Sequence, residues 1–176
     1  MPVTINGNGT ITGISAGGLP DGCITADDLA SGAGGKILQF KYKELTGGDF
    51  NTNSATATDL PGLTDSISLT SSSNNTLITL SITPYMGGTG DARYGLEILR
   101  DSTIIYHENY LLYRSGAFKA TRGHHTILDT GVSDTSSHTY KAQVKRQEGS
   151  GAFEVFYLFN NSGSAKQVMT LQEIAT

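Results

Sequence analysis

The sequence predicts an all-β protein: an antiparallel two-sheet β-sandwich of jelly-roll type, preceded by a glycine-rich extended N-terminal arm. Three observations lead there. From Lys36 onward apolar side chains recur at every second residue, the period of a strand with one covered face. Short clusters of Gly, Ser, Asn and Asp separate these segments, and those are the residues that tight turns require. No segment beyond Lys36 has a helical period. About eight alternating strands joined by polar turns suit two packed antiparallel sheets.

The arm comprises residues 1–35, with Asp21, Asp27 and Asp28 as its only charged side chains. Val3-Thr4-Ile5 and Thr10-Ile11-Thr12 have strand chemistry and flank the turn formers Asn6-Gly7-Asn8-Gly9, so they can pair as a hairpin. Leu19-Pro20-Asp21-Gly22 reads as a tight turn, proline presetting φ at its second position. Thr25 followed by Asp27 and Asp28 reads as a capped helix start, which Ser31-Gly32-Ala33-Gly34-Gly35 ends as a linker. Ile5, Ile11, Ile14, Leu19 and Leu29 are too few to form a core of their own. They are the expected attachment residues, and the arm must lie on the head, a sister chain or another protein.

The head comprises residues 36–176. Leu38, Phe40 and Tyr42 alternate with Gln39, Lys41 and Lys43. Ile78, Leu80 and Ile82 alternate with Thr79, Ser81 and Thr83, and Tyr94, Leu96 and Ile98 repeat the pattern. Tyr140, Ala142 and Val144 oppose Lys141, Gln143 and Lys145, and a segment from Met169 to Ile174 closes the head. Fainter strands fall at 63–70, 103–106 and 125–128. Phe153, Val155, Tyr157 and Phe159 form one apolar face, with Phe156 and Leu158 on the other. A strand apolar on both faces is covered on both. Phe156 and Leu158 are therefore the expected oligomer contact, with a loop folded over the strand as the alternative cover.

Charge excludes some classes of function. Twelve Lys and Arg against 16 Asp and Glu give a net charge of −4, the wrong sign for binding a phosphate backbone. Charged residues make up 16% against roughly 25% in ordinary domains, and neutral polar residues take their place. No apolar run reaches the ~18 residues of a membrane helix, and the N-terminal sequence lacks the features of a signal peptide. Neither nucleic acid nor membrane insertion is expected. The single Cys23 excludes an intrachain disulfide framework and reads as a small buried thiol.

No catalytic set, metal set or cofactor is expected. Gly13-Ile14-Ser15-Ala16-Gly17 matches a hydrolase nucleophile pattern by letter, without the strand-to-helix elbow that the chemistry needs. His124 and His125 are adjacent strand residues pointing to opposite faces, although a histidine repeated round a threefold axis could still hold an ion. Asp101 and Asp129 read as turn residues in Arg100-Asp101-Ser102-Thr103 and Asp129-Thr130-Gly131. The densest mixture of aromatic, basic and amide groups is Tyr106, His107, Asn109, Tyr113 and Arg114. Rings can cover a sugar's apolar face while His, Asn and Arg reach its hydroxyls, so these five are the candidate receptor or glycan contact. An edge hairpin with ordinary amphipathic tyrosines is the simpler account of the same residues.

The stretch INGNGTITGISAGGLPDG from Ile5 to Gly22, continuing through ITADDLASGAGGKILQ, resembles the opening of tail-fibre-like and surface-appendage virion proteins of tailed phages, especially aquatic and cyanobacterial ones. Thr58-Asp59-Leu60-Pro61-Gly62-Leu63, Leu96-Glu97-Ile98-Leu99-Arg100-Asp101-Ser102-Thr103, Thr139–Val144 and Leu171-Gln172-Glu173-Ile174-Ala175 follow in the same order. The resemblance implies a homotrimeric virion structural protein, assembled in the host cytoplasm, with an N-terminal attachment part and a β-rich head. The implied partners are its own copies and other capsid or tail proteins, and the Tyr106–Arg114 cluster adds a host surface glycan as a candidate partner. It supplies no catalytic residues, and it leaves open a place on the capsid or on the tail.

Overall fold

The structure, a computed structural model, describes residues 4–5, 11–12, 36–46, 48–87, 91–114, 119–120, 122–155 and 166–176. The chain divides into two compact units, Met1–Gly35 and Lys36–Thr176. In the first, β1 (Thr4–Ile5) and β2 (Ile11–Thr12) pair antiparallel with Ile5 opposite Ile11, as the hairpin reading expects. Ile14, Leu19, Leu29, Cys23, the helix start at 25–30 and the expected contact residues Phe156 and Leu158 lie outside the described residues.

The second unit is all-β. Its strands are β3 (Ile37–Glu44), β4 (Phe50–Thr52), β5 (Thr58–Ser68), β6 (Asn75–Ile82), β7 (Pro84–Gly87), β8 (Ala92–Arg100) and β9 (Thr103–Arg114). β10 (Lys119–Ala120), β11 (Gly123–Asp129), β12 (Ser137–Gly149), β13 (Ala152–Val155) and β14 (Val168–Ile174) follow. They pair antiparallel in three sheets, ordered β11-β6-β14-β3, β10-β7-β13-β4 and β5-β12-β8-β9. The first two orders correspond strand for strand, since β3 and β4, β6 and β7, β10 and β11, and β13 and β14 are each neighbours along the chain. Counting each such pair once gives eight runs, ordered 1-8-3-6 and 2-7-4-5. That is the connectivity of a jelly roll.

The break between β6 and β7 leaves backbone donors that the fold must pair. Thr83 separates β6 from β7, and its N–H has no place in either ladder. Buried Gln167 accepts from that N–H through Oε1, and its own carbonyl accepts from Leu45 N at 2.9 Å. Two backbone donors freed by the break are thus paired inside the protein.

Between the layers lies one core. Ile78, Leu80 and Ile82 of β6 and Met169 and Leu171 of β14 join Tyr94, Leu96 and Ile98 of β8 and Tyr140, Ala142 and Val144 of β12 in it, all fully buried. These are the residues whose alternation defines the strands. Edge strand β5 adds a bulge, its register against β12 jumping from Thr64 to Asp59. The bulge buries both Leu60 and Leu63. Gly62 permits it: φ is +77°, and a Cβ there would stand 2.5 Å from the Glu44 carbonyl oxygen.

One strand turns its apolar side away from the core. In register with β14, Gln39, Lys41 and Lys43 of β3 stand opposite Glu173, Leu171 and Met169 on the inner face. Phe40 and Tyr42 stand opposite Gln172 and Thr170 on the outer face. Ile37, Leu38, Phe40 and Tyr42 are accordingly 56%, 47%, 61% and 46% exposed. The inner side of β3 meets β5 through polar groups, Lys43 Nζ lying 4.0 Å from Asp65 and Gln39 Nε2 donating to Ser68 O at 2.7 Å.

Candidate functional site

The five candidate contact residues all fall on β9, the edge strand next to β8. Sequence alternation shows only its first part, at 103–106, because two bulges interrupt it. Register shifts lie opposite Ile98/Leu99 and opposite Tyr94/Leu96. Bulges on an edge strand discourage pairing with another chain and re-aim its side chains.

Strand alternation distributes the five residues over two faces. Tyr106 and Glu108 stand opposite Ile98 and Leu96, on the inner face. Tyr106 packs against His125 of β11, ring centroids 5.7 Å apart and planes tilted by 54°, and donates to Glu108 at 3.2 Å. His125 Nδ1 lies 3.5 Å from Glu108, so this trio closes the gap between the edges of the two layers. Burial pushes the Tyr106 phenol up and the His125 imidazole down. His107 and Tyr113 stand opposite Glu97 and Arg93, on the outer face. Asn109 lies in the bulge, its Oδ1 2.8 Å from His107 Nε2. The backbone of Arg114 is in register with Ala92.

Arg93 is a neighbour that the sequence does not single out. It lies under the Tyr110 ring, 4.5 Å from the centroid, and donates to the Tyr110 hydroxyl at 2.6 Å and to Glu148 at 2.7 Å. Tyr110 and Tyr113 are 63% and 53% exposed. The outer end of β9 therefore offers two open rings beside a guanidinium and a histidine–amide pair. Such groups can stack on and hydrogen-bond a flat polyhydroxyl ligand. The link between Arg93 and Tyr113 exists only through strand register, which local spacing does not encode.

The other conspicuous ionisable groups are engaged in the fold. Asp129 accepts from Arg100, Tyr140 and the N–H of Gly131. Glu173 accepts from Thr70, Asn74 and Gln39. Among the described residues no group of three His, Cys, Asp or Glu side chains is placed to hold a metal ion.

His138 ties the 130–136 loop to the β8–β9 turn. Its Nδ1 lies 2.8 Å from Asp101 and its Nε2 3.2 Å from Asp134. Asp101 has φ of 55°, and its carboxylate also accepts from Thr139 N at 2.9 Å. The Asp101 hydrogen bond holds the imidazole above its ordinary 6.5, and His138 holds Asp101 below its ordinary 3.8. The histidine's contribution is complete below pH 6.5 and is lost as pH rises through the raised folded value. The aspartate's is complete above pH 3.8 and is lost as pH falls through the depressed one. Stability from this cluster is greatest between these limits. Thermal melts are expected to show the midpoint falling by a few degrees between pH 6 and pH 8.5. His138→Gln should flatten that fall; an identical slope in the variant would contradict the assignment.

No protein-family model matches the sequence, and no curated protein matches it. Solved structures similar to the chain include those of infectious bursal disease virus, Gt strain and Gx strain. The Gt match has a TM-score of 0.41 at 10% identity, and covers 78% of this chain and 38% of that one. The Gx match has a TM-score of 0.41 at 11% identity, and covers 78% and 37%. The chain thus spans less than two-fifths of the solved chains it matches.

Proposed function

We propose that the chain is a non-enzymatic structural protein of a tailed-phage virion: a homotrimeric surface appendage, either a short fibre or a capsid decoration protein. It is mounted through residues 1–35 and presents the jelly-roll head. The observation that supports this most is the arm itself, 35 residues with three charges and too little apolar mass for a core, joined to a head with a full core. A segment of that kind needs a surface to lie on. The resemblance of INGNGTITGISAGGLPDG to phage appendage arms supports the same reading. Virus particles lacking the protein test it. A decoration protein binds only the assembled shell, so its loss lowers the heat stability of the heads by mass action. A fibre's loss abolishes adsorption and leaves the heads intact. Particles unchanged in both respects would overturn the reading.

The exposed Tyr110 and Tyr113 beside Arg93 favour a second reading, a carbohydrate- or receptor-binding head that mediates host adsorption. Three sites on one trimer raise avidity by about 10²–10⁴ where spacing permits. On a glycan array the intact protein is expected to bind, and Tyr110→Ala with Tyr113→Ala to lose at least about tenfold of that signal. Equal signal from both proteins would remove the site.

A further inference from the structure

We infer that copies of this chain meet along the outer face of the β11-β6-β14-β3 sheet, with Leu38, Phe40 and Tyr42 of β3 nearest the symmetry axis. The inference rests on the self-assembly part of the proposed function and not on its virion part.

The register assembles this face row by row. Phe40, Gln172, Leu77 and Leu128 lie side by side across the four strands, and so do Tyr42, Thr170, Thr79 and Thr126. The next row is Glu44, Val168, Ser81 and His124. Glu44 is the one carboxylate in these rows, and it is occupied by Lys166 at 2.7 Å and by the Tyr42 hydroxyl at 2.8 Å. The outer face of the opposite sheet carries more charge: Asp59, Lys141, Lys145 and Arg93 stand on it, beside the buried Glu97 and Leu99. Apart from the Glu44–Lys166 pair, the rows on the β3 side hold mainly apolar and neutral polar groups.

That contrast identifies the occupant as another copy. Residues near a symmetry axis meet their own counterparts, so a charge there meets its like. A stripe of Leu, Phe and Tyr meets no such repulsion. Ile37, Leu38, Phe40, Tyr42 and Leu128 are each about half exposed. At ~200 Å² per large side chain, they present on the order of 500 Å² of surface. That is near the limit for a patch left open on a monomer, and Leu77, Val168 and the threonines extend it toward the ~800 Å² per partner of a stable interface.

Sedimentation velocity on the full chain, with Phe40→Glu and the milder pair Leu38→Ser with Phe40→Ser, tests this. Phe40 is 61% exposed, so neither change reaches the core, and the melting transition checks the fold. The wild type is expected to sediment as a trimer and both variants as monomers, with at least ~100-fold weaker association and an unchanged melt. A monomeric wild type would overturn the self-assembly reading and this inference with it. An assembled wild type whose two variants assemble equally well would overturn this inference alone. Loss of assembly on Phe156→Ser with Leu158→Ser, with none on Phe40→Glu, would move the interface to that segment.

Discussion

Glu173→Ala is expected to destabilise the head by about 3–4 kcal/mol, since it strands several donors at once. Glu173 is fully buried at the end of the sandwich where the loop between β5 and β6 closes. Its Oε1 accepts from Thr70 N at 2.6 Å, Thr70 Oγ1 at 2.7 Å and Asn74 Nδ2 at 2.7 Å, while Oε2 accepts from Gln39 Nε2 at 2.6 Å. Alanine strands the Thr70 N–H and takes an acceptor from Thr70 Oγ1, Asn74 and Gln39, with only the Asn74–Thr70 and Gln39–Ser68 bonds left in place. Glutamine is little better, because its NH₂ would face further donors. Burial pushes the carboxyl up, but Asn74 and Thr70 outweigh it and hold the group below its ordinary 4.5. Its stabilisation is therefore present above pH 4.5 and is lost as pH falls through the depressed folded value. Urea melts at pH 7 should show the full deficit in Glu173→Ala, and a wild type losing its advantage in acid. A deficit below about 0.5 kcal/mol at pH 7 would contradict the account.

Asp129→Ala is the second large effect, about 3–5 kcal/mol, because it leaves a half-buried guanidinium unpaired. Arg100 Nη1 donates to both carboxylate oxygens, at 2.7 and 2.6 Å, and the fully buried Tyr140 donates at 2.8 Å. Burial pushes the Tyr140 phenol far up, so it remains a donor throughout the neutral range. Tyr140→Phe removes one donor and should cost only about 1–1.5 kcal/mol. Asp129→Leu combined with Arg100→Met removes both charges, and should recover much of what Asp129→Ala loses. A double variant as unstable as Asp129→Ala would show that packing, and not the stranded charge, sets the cost.

How much of this is legible in the sequence depends on the range of the interaction. Ile78-Leu80-Ile82 and Tyr140-Ala142-Val144 reveal their strands and their core face, because one period of two residues suffices. The pattern of β3 is equally clear, yet it does not tell which of its faces is covered. The register with β14 decides that, and it sends Phe40 outward. β9 is legible only to Tyr106, since bulges interrupt its pairing with β8, although simple alternation already divides Tyr106 from His107 and Tyr113. Asp101 and Asp129 are recognisable as turn residues. Their ties to His138 and Tyr140 join positions brought together only by the fold. The same holds for Glu173, whose partners Thr70 and Asn74 lie about a hundred residues earlier in the chain.

The central claim is that this chain is a mounted, self-assembled protein of a virion surface. Antibody-gold labelling of intact virions tests it most directly. The account predicts gold on the particle exterior, in many copies over the head for a decoration protein or in a few at the tail for a fibre. Virions that carry no label, while the same antibody detects the protein in the infected-cell lysate, would contradict it.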